Sequence, residues 1–307
     1  MQSQGKAYLY AAIVVLIWST VASAFKITLR YLEPIHMLFY ATAVSVLTLF
    51  LIVLGQKKAS LLRGCSQQDF VRSALLGFLN PFLYYVVLFR AYSLLPAQQA
   101  VSLNYTWAIQ LVILSIPLLN QKVGVKSLLA IIVGYLGVLI IATRGDISSL
   151  RIANVQGTLL ALGSAVIWAL FWIYNIKDKR DEVVKLFLNF IFGFAFVCIY
   201  LVVSGRFALP RFSGMVGAIY IGLFEMGITF VLWLKALRLS KTTAQVSNLI
   251  YLTPFLSLLI INIVVGERIL PSTIIGLLFI LTGIALQRYP LQRNPPNRGQ
   301  KIDTAPL

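Results

Sequence analysis

The chain has 307 residues, 59% hydrophobic and only 11% charged; soluble domains carry nearer a quarter of their residues as charge, so a soluble globular fold is excluded. Its formal net charge of +17 is scattered over short loops rather than gathered in one stripe, which argues against a nucleic-acid partner. One histidine and two cysteines, Cys65 and Cys198, provide neither a metal cluster nor a disulfide framework, and nothing in the composition calls for a cofactor.

A spanning helix takes about 20 apolar residues. Stretches of this kind run over residues 7–29, 34–54, 72–90, 95–119, 127–143, 155–175, 185–204, 212–236, 243–264 and 270–287. The expectation is an all-α integral membrane protein of ten transmembrane helices. With the N-terminus inside, 18 of the 26 lysines and arginines fall on the inner side and 8 on the outer. Basic residues are retained on the cytoplasmic face, so both termini are expected in the cytoplasm of a cell-membrane protein. Residues 1–6 then form the N-terminal tail, 144–154 an extracytoplasmic linker, and 289–307, rich in Pro, Asn and Arg, a disordered cytoplasmic tail.

The first span follows Lys6 and contains Trp18. Its Ala22-Ser23-Ala24 resembles a signal-peptide cleavage site, but cleavage would leave nine spans and break the symmetry described below. Lys26 and Arg30 close it and are expected to snorkel to the outer interface. The second span starts at His36 and is otherwise aliphatic. On the third, Asn80 and Tyr84 lie four apart and share a face, and Pro81 withdraws the helical partner of the Gly77 carbonyl. The fourth carries Gln98, Ser102 and Tyr105 on one face; the fifth is aliphatic. On the sixth, Ser164, Trp168 and Trp172 align. The inner loop after it interleaves Asp178, Asp181 and Glu182 with bases, the pattern of a solvated face. The seventh span is again apolar. The eighth holds Glu225 and Thr229, spaced like Asn80 and Tyr84. The ninth carries Gln245, Asn248 and Tyr251 close to one face, then Pro254, and ends in Glu267 and Arg268, read as a local ion pair.

Polar side chains inside a bilayer are costly and mark functional sites by default. Here they fall on spans one, three, four, six, eight and nine, which are expected to surround a central solute site. The remaining four spans form an outer wall, facing lipid or a second copy in a homodimer. The candidate binding residues are Trp18, Asn80, Tyr84, Gln98, Ser102, Tyr105, Trp168, Trp172, Glu225, Thr229, Gln245, Asn248 and Tyr251. Pro81 and Pro254 are candidate hinges. Each polar residue also has a structural reading, as hydrogen-bonding glue between helices worth about 0.6 kcal/mol. Glu225 is the one carboxylate deep in a span, about 13 residues into its helix and so near 20 Å down. A titratable acid there suits proton coupling or binding of a substrate amine; its structural alternative is a hydrogen bond to an amide such as Asn80.

The two halves repeat. Val15-Leu16-Ile17-Trp18 aligns with Ala165-Val166-Ile167-Trp168, Leu76-Gly77-Phe78-Leu79-Asn80 with Ile221-Gly222-Leu223-Phe224-Glu225, and Arg90-Ala91 with Lys235-Ala236. Ala97-Gln98 aligns with Ala244-Gln245, Thr106-Trp107 with Thr253-Pro254, and Leu136-Gly137-Val138 with Thr282-Gly283-Ile284. The offsets stay between 145 and 150. Five spans per copy is an odd number, so the second copy (155–288) is inverted relative to the first (7–143). Inverted repeats with a midplane site are a transporter architecture.

These residues resemble a known family. Trp18-Ser19 in the first span, Ala236-Leu237 closing the eighth, and Thr253-Pro254 leading to Gly266-Glu267-Arg268 look like the drug/metabolite transporter superfamily, EamA type. The first copy departs from the pattern, with Trp107 for the proline and Leu119-Asn120-Gln121 for the Gly-Glu-Arg. The resemblance implies export or exchange of amino acids or related metabolites by alternating access. A lipid or lipid-linked sugar flippase on the same fold is the alternative. A membrane enzyme has little to build on, lacking paired acids or a metal cluster. No Walker-type glycine loop suggests ATP as the energy source.

Overall fold

The computed structural model describes residues 3–119, 125–146, 152–205, 209, 212–240 and 248–288, and among these no strand occurs. A backbone in hydrocarbon must satisfy its polar groups internally, and the apolar runs do so as helices. These are α1 (Gln4–Thr28), α2 (Pro34–Gly55), α3 (Gln67–Leu94), α4 (Ala97–Leu118), α5 (Val125–Ala142), α6 (Val155–Ile176), α7 (Glu182–Ser204), α8 (Phe212–Leu239), α9 (Leu249–Val265) and α10 (Pro271–Arg288). Seven of them, α1–α4 and α6–α8, are long and apolar enough to cross a membrane, and three shorter apolar stretches lie in α5, α9 and α10.

Local chemistry sets the ends. Pro34 occupies the first turn of α2, where its missing N–H costs nothing. Asn154 caps α6 through the Gly157 N–H, and Asp181 caps α7 through Val183 and Val184. The third helix starts at Gln67 rather than at residue 72, because Ser66 and Asp69 form a reciprocal capping box in front of it. Gly205 ends α7 in the left-handed region, at φ 61°.

Four helices depart from regular α geometry among the described residues. In α3 a π-helical segment, Phe78–Leu83, contains Asn80 in extended geometry followed by a cis bond to Pro81. In α8 a π segment, Ile221–Glu225, precedes a non-helical Gly227. In α4 the helix ends at Asn104 and restarts at Trp107. In α9 a 3₁₀ turn, Asn248–Tyr251, leads into Leu252–Ile260, which holds Pro254 in its first turn.

The packing has an exchange symmetry. The largest contact is α5 on α10; α1 packs on α8 and α9, α6 on α3 and α4, and α2 on α7. Swapping the halves turns the α1 pairs into the α6 pairs and leaves the other two in place. Glycine allows the closest approaches. A Cβ at Gly137 would overlap the Gly276 carbonyl across the α5–α10 seam, and one at Gly77 would overlap the Asn189 carbonyl of α7. Large apolar side chains such as Leu16, Leu51, Leu75, Val203, Leu259 and Ile263 remain exposed, which suits a hydrocarbon surrounding.

Candidate functional site

The broken helices surround a cavity of about 750 Å³, within the range of pockets that take small organic ligands. Its wall comes chiefly from α1, α3, α4, α6, α8 and α9, with the 178–180 loop and the first turn of α7 at one end. Trp18, Tyr84, Tyr105, Trp168, Trp172, Glu225 and Tyr251 all line it.

Aromatic rings dominate the wall. Tyr84 and Trp168 lie 4.6 Å apart by ring centroids, and Trp172 meets Trp168 edge-on at 5.8 Å. Trp18 and Trp168, equivalent under the repeat, both rest on Phe230 of α8, at 6.1 and 5.8 Å. Asn104 sits among them, accepting from the Tyr84 hydroxyl at 3.4 Å and donating to Ser164 at 2.9 Å. The Glu225 carboxylate accepts through Oε1 a hydrogen bond from the Tyr85 hydroxyl at 2.9 Å, a bond between the two halves of the chain. Two further donors among the lining residues, the Trp18 indole N–H and the Ser257 hydroxyl, are buried with no protein partner among the described residues.

Several expected binding residues lie elsewhere. Asn80 is fully buried outside the cavity, in the α3 segment that packs on α7, and its amide has no partner among the described residues. The extended backbone at Asn80 turns its side chain away from the face that regular helical spacing gave it, and Glu225 bonds Tyr85 instead. Gln98 holds the connection between α9 and α10: it donates to the Arg268 carbonyl at 2.9 Å and accepts from Leu270 N and Thr273 Oγ1, both at 2.9 Å. Ser102 bonds back to the Gln98 carbonyl at 2.8 Å, and Thr229 to the Phe224 carbonyl. Both are spent on local backbone groups and fully buried. Gln245 and the Asn248 side chain lie outside the described residues. Spacing missed Asn104, Trp107 and Trp233, which line the cavity, and Tyr85; a polar or aromatic residue in a span was the only signal available for each.

Charged residues also depart from expectation. Asp178, Asp181 and Glu182 do not form a solvated face. Asp178 is 3% exposed and paired with Arg180 at 2.5 Å, while Lys58 meets Asp181 at 2.8 Å and Arg238 meets Glu182 at 2.7 Å. Lys185 donates to the Asn175 and Asp178 carbonyls. Burial pushes the Asp178 carboxyl up, but the hydrogen bonds and charge of Arg180 more than offset this and hold it below the usual carboxylate range. Lys26 donates to the Tyr92 and Leu95 carbonyls at 2.9 and 2.6 Å. Glu267 caps α4, accepting from Ala97 N at 2.8 Å and Gln98 N at 3.3 Å, rather than pairing locally with Arg268.

A model of the EamA-like transporter family matches the chain twice, over residues 5–143 and 155–288. A protein of Clostridium kluyveri named an uncharacterized transporter is 25% identical over 294 residues, covering 91% of each chain. The uncharacterized transporter YvbV of Bacillus subtilis is 25% identical over 287 residues, covering 91% of this chain and 90% of its own. A solved crystal structure with 22% identity covers 92% of this chain and 96% of its own at a TM-score of 0.64, a likeness of fold.

Proposed function

Because the chain belongs to the EamA-like transporter family and is a membrane transporter, we propose that it is a secondary transporter of a small organic solute, an amino acid or related metabolite. It works by alternating access, in efflux or exchange, in the cell membrane with both termini in the cytoplasm. The observation that carries this reading is the aromatic cavity between the halves, with Glu225 on its wall. Glu225 binds an amine of the solute or takes up the coupling proton. The donors of Trp18 and Ser257, without a partner among the described residues, receive an acceptor such as a carboxylate, and Trp168, Tyr84 and Trp172 cover the apolar body and stabilise a nearby cation. Rocking of one half against the other, bending at the breaks around Pro81 and Pro254, exposes the site to each side in turn.

A thermal-shift screen of the purified protein against amino acids, nucleosides, drugs and lipid-linked sugars tests the reading. A ligand that binds only the folded state at about 100 times its Kd stabilises it by roughly 2.7 kcal/mol. The expected hit carries an amine, and Trp168→Ala removes its shift. A shift produced only by lipid-linked compounds contradicts the reading in favour of a flippase.

A further inference from the structure

The cavity is not equally deep toward its two ends. At one end its lining reaches the charged residues Lys179, Arg180, Glu182 and Arg238. At the other it stops at Val21, Ala22, Phe25, Leu88 and Tyr92, where the Phe25 ring meets Phe89 at 4.8 Å and Tyr92 at 5.3 Å. Beyond these rings lies a separate, shallower hollow lined by Lys26, Leu95, Pro96, Gln98, Glu267 and Arg268. The turn between α3 and α4 therefore separates the cavity from the face that the charge distribution assigns to the outside.

That turn is held from several directions. Lys26 binds the last carbonyls of α3, groups with no partner inside their own helix. Asn154 donates to the Leu94 carbonyl at 3.2 Å. Glu267 occupies the first two N–H groups of α4, where a carboxylate also meets the positive end of the helix dipole. Gln98 adds its three bonds to residues 268–273. The turn belongs to the first half of the chain and Glu267 to the second, so the halves cannot part at this end until those bonds break. In the sequence, the residue that stands in the first copy where Glu267 stands in the second, at the offset of 147, is the uncharged Asn120. A carboxylate is present at this position in one copy only.

We infer that Glu267 is the latch of the outer gate, holding the resting carrier closed to the outside and open to the cytoplasm. The inference rests on the alternating-access reading above, but its test needs no solute, so a wrong substrate assignment and a wrong latch are told apart. The probe is Ala22→Cys, on the cavity wall, in a background with Cys65→Ser and Cys198→Ser, labelled with an impermeant maleimide from either side of sealed vesicles. The expected result is labelling from the inside and slow labelling from the outside. Adding Glu267→Gln raises the outside rate roughly tenfold, the population shift expected from losing a charge-assisted bond, and Glu267→Asp raises it less. Gln98→Leu, which removes the neighbouring bonds, raises it as well and serves if Glu267→Gln fails to fold. Equal labelling from both sides before any latch substitution overturns the inference. So does an outside rate unmoved by both Glu267→Gln and Gln98→Leu, whether or not the melting temperature falls.

Discussion

Asp178 is held by Arg180 at 2.5 Å and approached by Arg72 at 3.8 Å, with its side chain wholly out of solvent. A carboxyl held below its usual range contributes stability that is complete above about pH 4 and lost as the pH falls through the lowered value. The melting temperature in detergent should therefore be flat in its Asp178 contribution from pH 8 to 5 and fall only in stronger acid. Asp178→Asn should lower it even at pH 7, because Arg180 then stays largely buried with only the longer contact to Asp69, at 3.7 Å, as its counter-ion. Breaking a buried pair in this way costs roughly 3–5 kcal/mol, and the partial exposure of Arg180 places this one toward the lower figure. A neutral-pH melting temperature equal to that of the parent protein would contradict the pairing. The sequence displayed Asp178 and Arg180 as neighbours in a charged loop but not the Arg72 and Asp69 of α3 that close around them. Glu225 was legible because one acid deep in an apolar span has few readings. Gln98 and Asn80 were not, since polarity marks a residue as costly to bury without saying which neighbour satisfies it.

Helix breaks decide which side chains reach the cavity. Pro81 and Pro254 announced two of them in the sequence, and the other two carry no such signal: Ile221–Glu225 lacks proline, and α4 restarts at Trp107, where the repeat has replaced it. Face assignments by 3.6-residue spacing therefore held through regular stretches, such as Trp168 and Trp172 on α6, and lapsed at Asn80. Elements also meet through glycine. Gly137 and Gly276 allow α5 and α10 to touch backbone to backbone, the close approach that small residues permit between membrane helices. Gly137→Val should force the pair apart at a cost of about 1–3 kcal/mol for overpacking, seen as a lower melting temperature in detergent. Gly163→Ala, at a glycine on α6 where an added Cβ meets nothing within 4 Å, should be neutral by the same measurement. Equal effects of the two substitutions would contradict the seam.

Hydropathy and composition made the all-α membrane fold the most legible feature of the whole molecule, because membrane thickness fixes helix length. The expected topology follows from the charge distribution. On a background lacking Cys65 and Cys198, a cysteine in the 56–66 connection should label only from the cytoplasmic side, and one in 144–154 only from outside. Labelling of the 56–66 connection from outside would reverse the orientation. The cavity was less legible, since its shape depends on four helix breaks and on which of many aromatic residues turn inward. The central claim is that a solute crosses through this cavity under the control of Glu225. It is tested most directly in proteoliposomes, with an amine-bearing solute found by thermal shift and an imposed proton gradient. The unsubstituted carrier should accumulate the solute against its gradient. Glu225→Gln, which keeps the shape and removes titration, should insert normally and lose that accumulation. If Glu225 carries the proton, solute–solute exchange survives; if it binds the amine, exchange fails as well. Uphill accumulation by Glu225→Gln equal to that of the parent protein at every pH would remove Glu225 from the mechanism and contradict the account.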